Sequence, residues 1–413
     1  MTETRAGSPI VVAGTGMAGG VAAKTLREEG YDGRIVLIGP EPGFPFGRPP
    51  LSKTYLRGEE DLSGWLVRPG AWYEQNDVEL VRNAVMGIDP AGRRVHLDTG
   101  EDVPYAKLLI ATGGRNRRLQ VPGADLPGVH QLRTVADCDA IKAAAAHGGR
   151  AVIVGMGFIG SEIAASLTQM GMAVSAVLPG GAPLDSVLGP ELGAVLASIH
   201  RDAGVELIAK DQVVSLEGAG RVERALTRGG RKIECDLAVL AIGIQPNVEL
   251  LHDTGVAIDN GVLIDAMCRT NAPDVYAAGD VANHWHPLFG RIRVEHYNNA
   301  EKQAAAAARS MLGSGSEYAY LHTFWSDQYA HKLEYVGHAA RWDQFVVRGS
   351  VTERKLIGFY LLEGKLIAAV GLDRGGDPEL DERDELARVG GLIATGARPA
   401  PAALADEDHQ LVP

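Results

Sequence analysis

The residues of this chain best placed to do chemistry are two glycine-rich stretches, Gly14-Thr15-Gly16-Met17-Ala18-Gly19 and Gly155-Met156-Gly157-Phe158-Ile159-Gly160. Glycine at three fixed positions lets a strand turn sharply into a helix, brings bare backbone up to a pyrophosphate, and allows close packing of helix on strand. Free N–H groups at the helix start then face the anion. Each stretch follows an apolar, β-branched run, Pro9-Ile10-Val11-Val12-Ala13 or Ala151-Val152-Ile153-Val154, and each leads into helical sequence. Two dinucleotides are therefore expected, and a flavin with a nicotinamide is the natural pair.

Holding two such phosphate sites requires two strand–helix–strand units. The first has a helix over 21–28 and a buried strand over 34–38; the second has a helix over 162–170 and a strand over 173–178. Each half has a further strand ending in a glycine turn, at 105–113 and again at 236–243. Residues 270–280 read as a strand that delivers Asp280 at its end, where a carboxylate can accept hydrogen bonds from sugar hydroxyls. A helix is expected over 298–311. From His322 the pattern changes to alternating strands over 332–336, 344–347, 356–362 and 366–372, then a helix over 382–395. The proline-, alanine- and acid-rich tail from Ala397 is expected to be extended or mobile. The fold class is α/β, two Rossmann-like nucleotide-binding domains followed by a C-terminal α+β domain.

The bulk composition fits that reading. The chain has 413 residues, 46% hydrophobic and 22% charged, enough for two or three domains each with its own core. No apolar run approaches the roughly 18 residues that would span a bilayer. A formal net charge of −12 disfavours nonspecific binding to nucleic acid or anionic lipid. The amino terminus leads directly into the first strand without a signal-peptide pattern, so a cytoplasmic location is expected. Three cysteines, Cys138, Cys235 and Cys268, show no Cys-x-x-Cys spacing, which excludes the usual redox dithiol and leaves buried thiols as the reading. His284 and His286 have no third ligand beside them, so no metal site is expected.

The chain resembles the FAD-dependent ferredoxin reductases of the putidaredoxin reductase and Rieske-dioxygenase reductase type, over nearly its whole length. The resemblance rests on the two glycine stretches, on Arg48-Pro49-Pro50-Leu51-Ser52-Lys53, Ala111-Thr112-Gly113-Gly114-Arg115, Leu132-Arg133-Thr134, Ala278-Gly279-Asp280 and Phe324-Trp325-Ser326-Asp327-Gln328-Tyr329. It implies a pyridine nucleotide-disulfide oxidoreductase-like fold: an FAD domain over 1–112 and 244–321, an NAD(P)H domain over 113–243, and a C-terminal domain over 322–413. It implies that NAD(P)H reduces FAD and that electrons then pass singly to a [2Fe-2S] ferredoxin.

The same resemblance assigns residues. Gly14, Gly16, Ala18 and Gly19 would hold the FAD pyrophosphate, and Asp280 the ribityl chain. Glu41, Arg48, Val85, Ala111, Thr112, Gly113, Arg133, Gly243 and Gly279 would line the cofactor sites, with Gly155, Gly157, Ile159 and Gly160 at the nicotinamide coenzyme. Phe158 would cover the flavin, Tyr297 would stand by its pyrimidine edge at a helix start, and Trp325 by its exposed edge. Taken alone, Lys53 reads as a solvated lysine and Glu162 as an ordinary helix glutamate. By resemblance they meet as an ion pair beside the flavin N5, the lysine favouring an anionic reduced ring and the glutamate keeping it charged.

Two positions depart from the family pattern. Pro40 stands where an acid commonly binds the FAD ribose, with Glu41 beside it as the substitute. Leu178 stands where an acid would bind the NAD ribose, and no charged residue lies between Glu162 and Asp185. NADH is preferred over NADPH, because an unpaired dianionic phosphate costs more than one lost hydroxyl contact. Arg115, Arg117 and Arg118 form a basic cluster that could attract an acidic ferredoxin or simply be solvated. Two alternatives stay open: an NADH oxidase or small-molecule oxidoreductase with a degraded nicotinamide site, and a redox-controlled binding protein similar to apoptosis-inducing factor. The chain is expected to be a monomer or a homodimer.

Overall fold

The computed structural model describes residues 7–411. The chain enters through β1 (Ile10–Ala13), whose four apolar side chains are all buried, and turns through Gly14 and Gly16 into α1 (Met17–Glu28). Gly14 has φ +132°, and a Cβ there would lie 2.1 Å from the Ala111 carbonyl oxygen; a Cβ on Gly19 would lie 1.9 Å from the Gly14 oxygen. Backbone meets backbone at both places, so no side chain can be admitted. Next come β2 (Ile35–Ile38), β3 (Val78–Val81) and β4 (Lys107–Ile110). The middle of the chain forms α2 (Val135–Ala145), β5 (Arg150–Val154), α3 (Phe158–Gln169), β6 (Ala173–Leu178), α4 (Asp185–Asp202), β7 (Glu206–Ala209) and β8 (Leu237–Leu240). Then follow β9 (Val275–Ala277) and α5 (Tyr297–Leu312). The remainder is β10 (Thr323–Gln328), β11 (His331–Gly337), β12 (Gln344–Ser350), β13 (Lys355–Leu362), β14 (Lys365–Leu372), α6 (Glu385–Ala394) and α7 (Pro401–Ala405).

These elements form two compact units. The first takes residues up to 48, 62–115 and 245–320. Its parallel sheet has the order β9-β4-β1-β2-β3, with Ile10 paired to Ile35 on one side and Lys107 on the other. Helices α1 and α5 pack together through small side chains, Ala18, Ala22, Ala304 and Ala307, and Leu26 is fully buried in the same core. Each such leucine contributes roughly 2 kcal/mol by leaving water.

The second unit takes residues 49–61, 116–244 and those from 321 on. Its parallel sheet runs β7-β6-β5-β8, the same relative order as β3-β2-β1-β4 in the first unit, and ends on the short strand Val129–His130, which precedes the other four in sequence where β9 of the first unit follows them. The internal repeat is therefore one of topology as well as of sequence. A second, antiparallel sheet has the order β10-β11-β14-β13-β12. Leu188, Leu192, Leu196 and Ile199 of α4 share a core with Phe324, Leu333, Tyr335 and Tyr360, which joins the two sheets of this unit.

Both helices after the glycine stretches begin earlier than their hydrophobic pattern suggests, at Met17 and Phe158 rather than at 21 and 162. Glycines in a first turn count against a helix by propensity, yet here they are required by the close crossing below. The tail also differs from expectation. Its α7 buries Leu404, and Leu411 is buried as well. The Arg348 guanidinium, 2% exposed, donates to the carbonyls of Leu404 (3.0 Å), Asp406 and His409 (2.8 Å) and pairs with Glu385 at 3.3 Å. Among the described residues no helix is long and apolar enough to cross a membrane.

Candidate functional site

In the first unit the start of α1 has no side-chain cap, and around the Cβ position of Gly16 nothing lies within 4 Å. By contrast α2, which lacks a glycine turn, is closed by Thr134 and Asp137 in a reciprocal cap with bonds of 3.1 and 2.8 Å. Orphan N–H groups at an uncapped helix start are what a phosphate requires. This one opens beyond the carboxyl ends of β1 and β4, where the strand order reverses and where sheets of this kind bind ligands. The residues thus fit a dinucleotide.

Around that cradle Glu41 forms a two-pronged pair with Arg48 at 2.5 and 3.2 Å. The Thr112 hydroxyl donates to the Asn247 carbonyl, and the Asn247 amide donates back to Thr112, both at 2.9 Å. Gly279 donates its N–H to Gln303 at 2.9 Å, and the Asp280 carbonyl accepts from Arg293 at 3.0 Å. Tyr297 opens α5, which no side chain caps, and meets Trp65 edge-on at 6.1 Å. Burial, with Glu301 adding to it, pushes the Tyr297 phenol up to about 12. Met17, Trp65, Tyr297 and Glu301 line a cavity of about 330 Å³. Val85 opens the strand Val85–Asp89 and packs against the core of this unit.

The second unit repeats the cradle. Gly155 has φ +95°, a Cβ on it would lie 2.5 Å from the Ala241 oxygen, and one on Gly160 would lie 2.1 Å from the Gly155 oxygen. The start of α3 has no side-chain cap; Gly157 is exposed and Ile159 is 46% exposed. Phe158 packs edge-on against Phe324 with centroids 4.9 Å apart. The Gly243 carbonyl accepts from Arg117, and the Arg133 N–H donates to Asp137.

Lys53 and Glu162 meet within this unit, not across a domain boundary, because residues 49–61 pack on α2 and α3. The Lys53 ammonium lies 2.8 Å from Glu162 Oε2, and the residues are 8% and 4% exposed. Lys53 also donates to the Pro49 carbonyl at 3.1 Å. Glu162 accepts two further bonds, from the Ser52 hydroxyl and from Ser326 at 2.8 Å. Asp327 is half-buried nearby: burial pushes its carboxyl up, Lys53 draws it down and Glu162 pushes it up again. Trp325 and Asp327 alternate with the buried Phe324, Ser326 and Gln328 along β10.

Leu178 is buried at the end of β6, and in the loop that follows it the next carboxylate is that of Asp185. Asp185 folds back to accept the N–H groups of Gly181 (2.6 Å) and Ala182 (3.1 Å). A cation arrives too, since Lys210, carried on β7's end, runs past Gly181. Pro179, Lys210, Asp211, Arg228 and Arg231 line a cavity of about 500 Å³ there. The basic cluster dissolves in part, because Arg115 pairs with both oxygens of Glu249. All three cysteines are free and buried, their thiols pushed by burial up to about 12, 11 and 12. Among the described residues no group of three or more metal-ligating side chains occurs. Ser52, Ser326, Gln328 and His200 are not among the site residues expected from the sequence, although the first three lie within the stretches 48–53 and 324–329 that carry the family resemblance.

Comparison with known proteins agrees with the geometry. Residues 8–304 match the family model described as pyridine nucleotide-disulphide oxidoreductase, and residues 323–412 match that described as reductase C-terminal. The chain is 35% identical to rhodocoxin reductase of Rhodococcus erythropolis, covering 97% of this chain and 93% of the relative. It is 37% identical to the ferredoxin–NAD(+) reductase component of the anthranilate 1,2-dioxygenase system of Burkholderia cepacia, covering 96% and 97%. A crystal structure of a ferredoxin reductase from Rhodopseudomonas palustris superposes with TM-score 0.92 at 33% identity, covering 98% of each chain. The covalent putidaredoxin reductase–putidaredoxin complex gives TM-score 0.92 at 30% identity, again covering 98% of each chain. The chain belongs to the pyridine nucleotide-disulphide oxidoreductase family, in its ferredoxin reductase branch. It is an oxidoreductase of a family that uses FAD and NAD(P)H.

Proposed function

We propose that this protein takes a hydride from NADH and delivers single electrons to a small [2Fe-2S] ferredoxin. The observation that carries the reading is the pair of uncapped, glycine-bounded helix starts, each at the carboxyl edge of its own parallel sheet. FAD, when bound, supplies the conversion of an electron pair into two one-electron transfers. Gly14, Gly16, Ala18 and Gly19 would hold its pyrophosphate through backbone N–H groups, with Glu41 and Arg48 at the adenosine end and Asp280 at the ribityl chain. Gly155, Gly157 and Gly160 would hold the nicotinamide coenzyme in the same way, and Phe158 would cover the flavin. By the family resemblance Lys53 would supply a fixed positive charge to the reacting flavin ring, and Glu162, 2.8 Å from it, would keep that charge in place. Trp325 would stand on the electron exit path. We also infer a cytoplasmic location, supported by three unpaired buried thiols.

Anaerobic mixing with NADH tests the first half-reaction: the yellow flavin band should bleach, and cytochrome c reduction should then depend on added ferredoxin. A flavin that neither NADH nor NADPH bleaches would refute the assignment. Rapid NADH oxidation in air, indifferent to ferredoxin, would favour the oxidase instead.

A further inference from the structure

Glu162 ends a line of hydrogen bonds that runs away from Lys53 through the interior of the second unit. Ser326 Oγ lies 2.8 Å from Glu162 Oε1, and Gln328 Nε2 lies 3.3 Å from Ser326 Oγ. Gln328 Oε1 is 3.1 Å from His200 Nε2, and His200 Nδ1 is 3.0 Å from the Tyr329 hydroxyl. Ser326, Gln328 and His200 are 1%, 3% and 0% exposed, so bulk solvent does not reach them.

The carboxylate decides the direction of every bond in this line. An ionised carboxylate only accepts, so Ser326 must spend its proton on Glu162. Gln328 must then offer an amide N–H to Ser326 and its carbonyl to His200. His200 must donate through Nε2, which leaves Nδ1 without a proton to accept from Tyr329. Reversing the Gln328 amide would turn two acceptors toward each other at the Gln328–Ser326 contact. Burial also holds His200 neutral, lowering it to about 4.

We propose that His200 and Gln328 are positioning residues, forming with Ser326 a one-way hydrogen-bond line that holds the Glu162 carboxylate aimed at Lys53. The functional part rests on the reading of Lys53 as the charge at the reacting ring. In bonds to a charged group each link is worth more than between neutral partners, and the line polarises toward the carboxylate.

The experiment is 15N NMR of histidine-labelled holoprotein at pH 7, with the His200 signal assigned by its loss in His200→Gln. A neutral ring protonated at Nε2 is expected; a proton on Nδ1, or a charged ring, overturns the proposal whatever the enzyme does. Stopped-flow reduction by NADH gives the second readout. His200→Leu and Gln328→Leu should slow the hydride step about tenfold with the coenzyme KM within about twofold, and His200→Gln, which keeps a donor, should recover most of it. Equal loss in His200→Gln and His200→Leu would reduce the line to packing. If the tautomer is as expected but Lys53→Met reduces as fast as wild type, the Lys53 reading fails while the line stands.

Discussion

Removing Lys53 should expose how strongly the buried pair is coupled. Lys53→Met takes away the ammonium 2.8 Å from Glu162 and leaves a 4%-exposed carboxylate with only the Ser52 and Ser326 hydroxyls. Breaking a buried pair from one side costs about 3–5 kcal/mol, and the two remaining donors put this case near the low end, about 3 kcal/mol. Glu162→Gln leaves the ammonium with the Pro49 carbonyl and should cost about as much. In the double variant neither charge is stranded, so the two losses should overlap by about 2 kcal/mol. Urea unfolding of the four holoproteins at pH 7, at one fixed excess of FAD, measures the cycle; the excess must match because free ligand shifts apparent stability. A coupling below about 0.5 kcal/mol would mean the pair behaves as a solvated surface contact, and the reasoning about a fixed charge would fall with it.

His200 sets the acid limb of stability. Its folded value is about 4 against an ordinary 6.5, so the unfolded chain takes up a proton first as pH falls. Its share of stability is whole above pH 6.5 and declines by roughly 3 kcal/mol toward pH 4, a slope that His200→Gln should flatten in urea midpoints taken at pH 7 and 4.5. Gly19→Val must move the Gly14 backbone, and the purified protein should lose most of its flavin absorbance. Arg348→Met strands the tail carbonyls and should make residues 401–411 sensitive to limited proteolysis, with a loss of about 2 kcal/mol or more. Lys210→Ala should lower kcat/KM for NADPH about tenfold and leave that for NADH within about twofold, in parallel steady-state assays.

What could be read from the sequence was what is local in the chain. A strand, a glycine turn and a helix are written in consecutive residues, and the strand over 173–178 stands where it was expected. Even here the start of α1 was hidden, since glycines that close packing demands look like helix breakers. The Lys53–Glu162 pair spans 109 residues and was visible only through family resemblance. His200 meets Gln328 across 128 residues and from a helix onto a strand, a juxtaposition no periodicity encodes. The Arg115 cluster looked unpaired because Glu249 lies 134 residues away. Arg348 likewise gave no sign that it would pin a tail whose composition suggested disorder.

Because backbone crosses backbone at Gly14 and Ala111 and again at Gly155 and Ala241, the two glycine turns proposed to grip phosphate have almost no room to vary. Leu178 and Lys210 stand at strand tips away from those crossings, so under the proposed function the choice between NADH and NADPH would be set there, where side chains can change without disturbing them. An engineer who wanted a different electron donor could therefore rewrite the tips and leave the grip untouched.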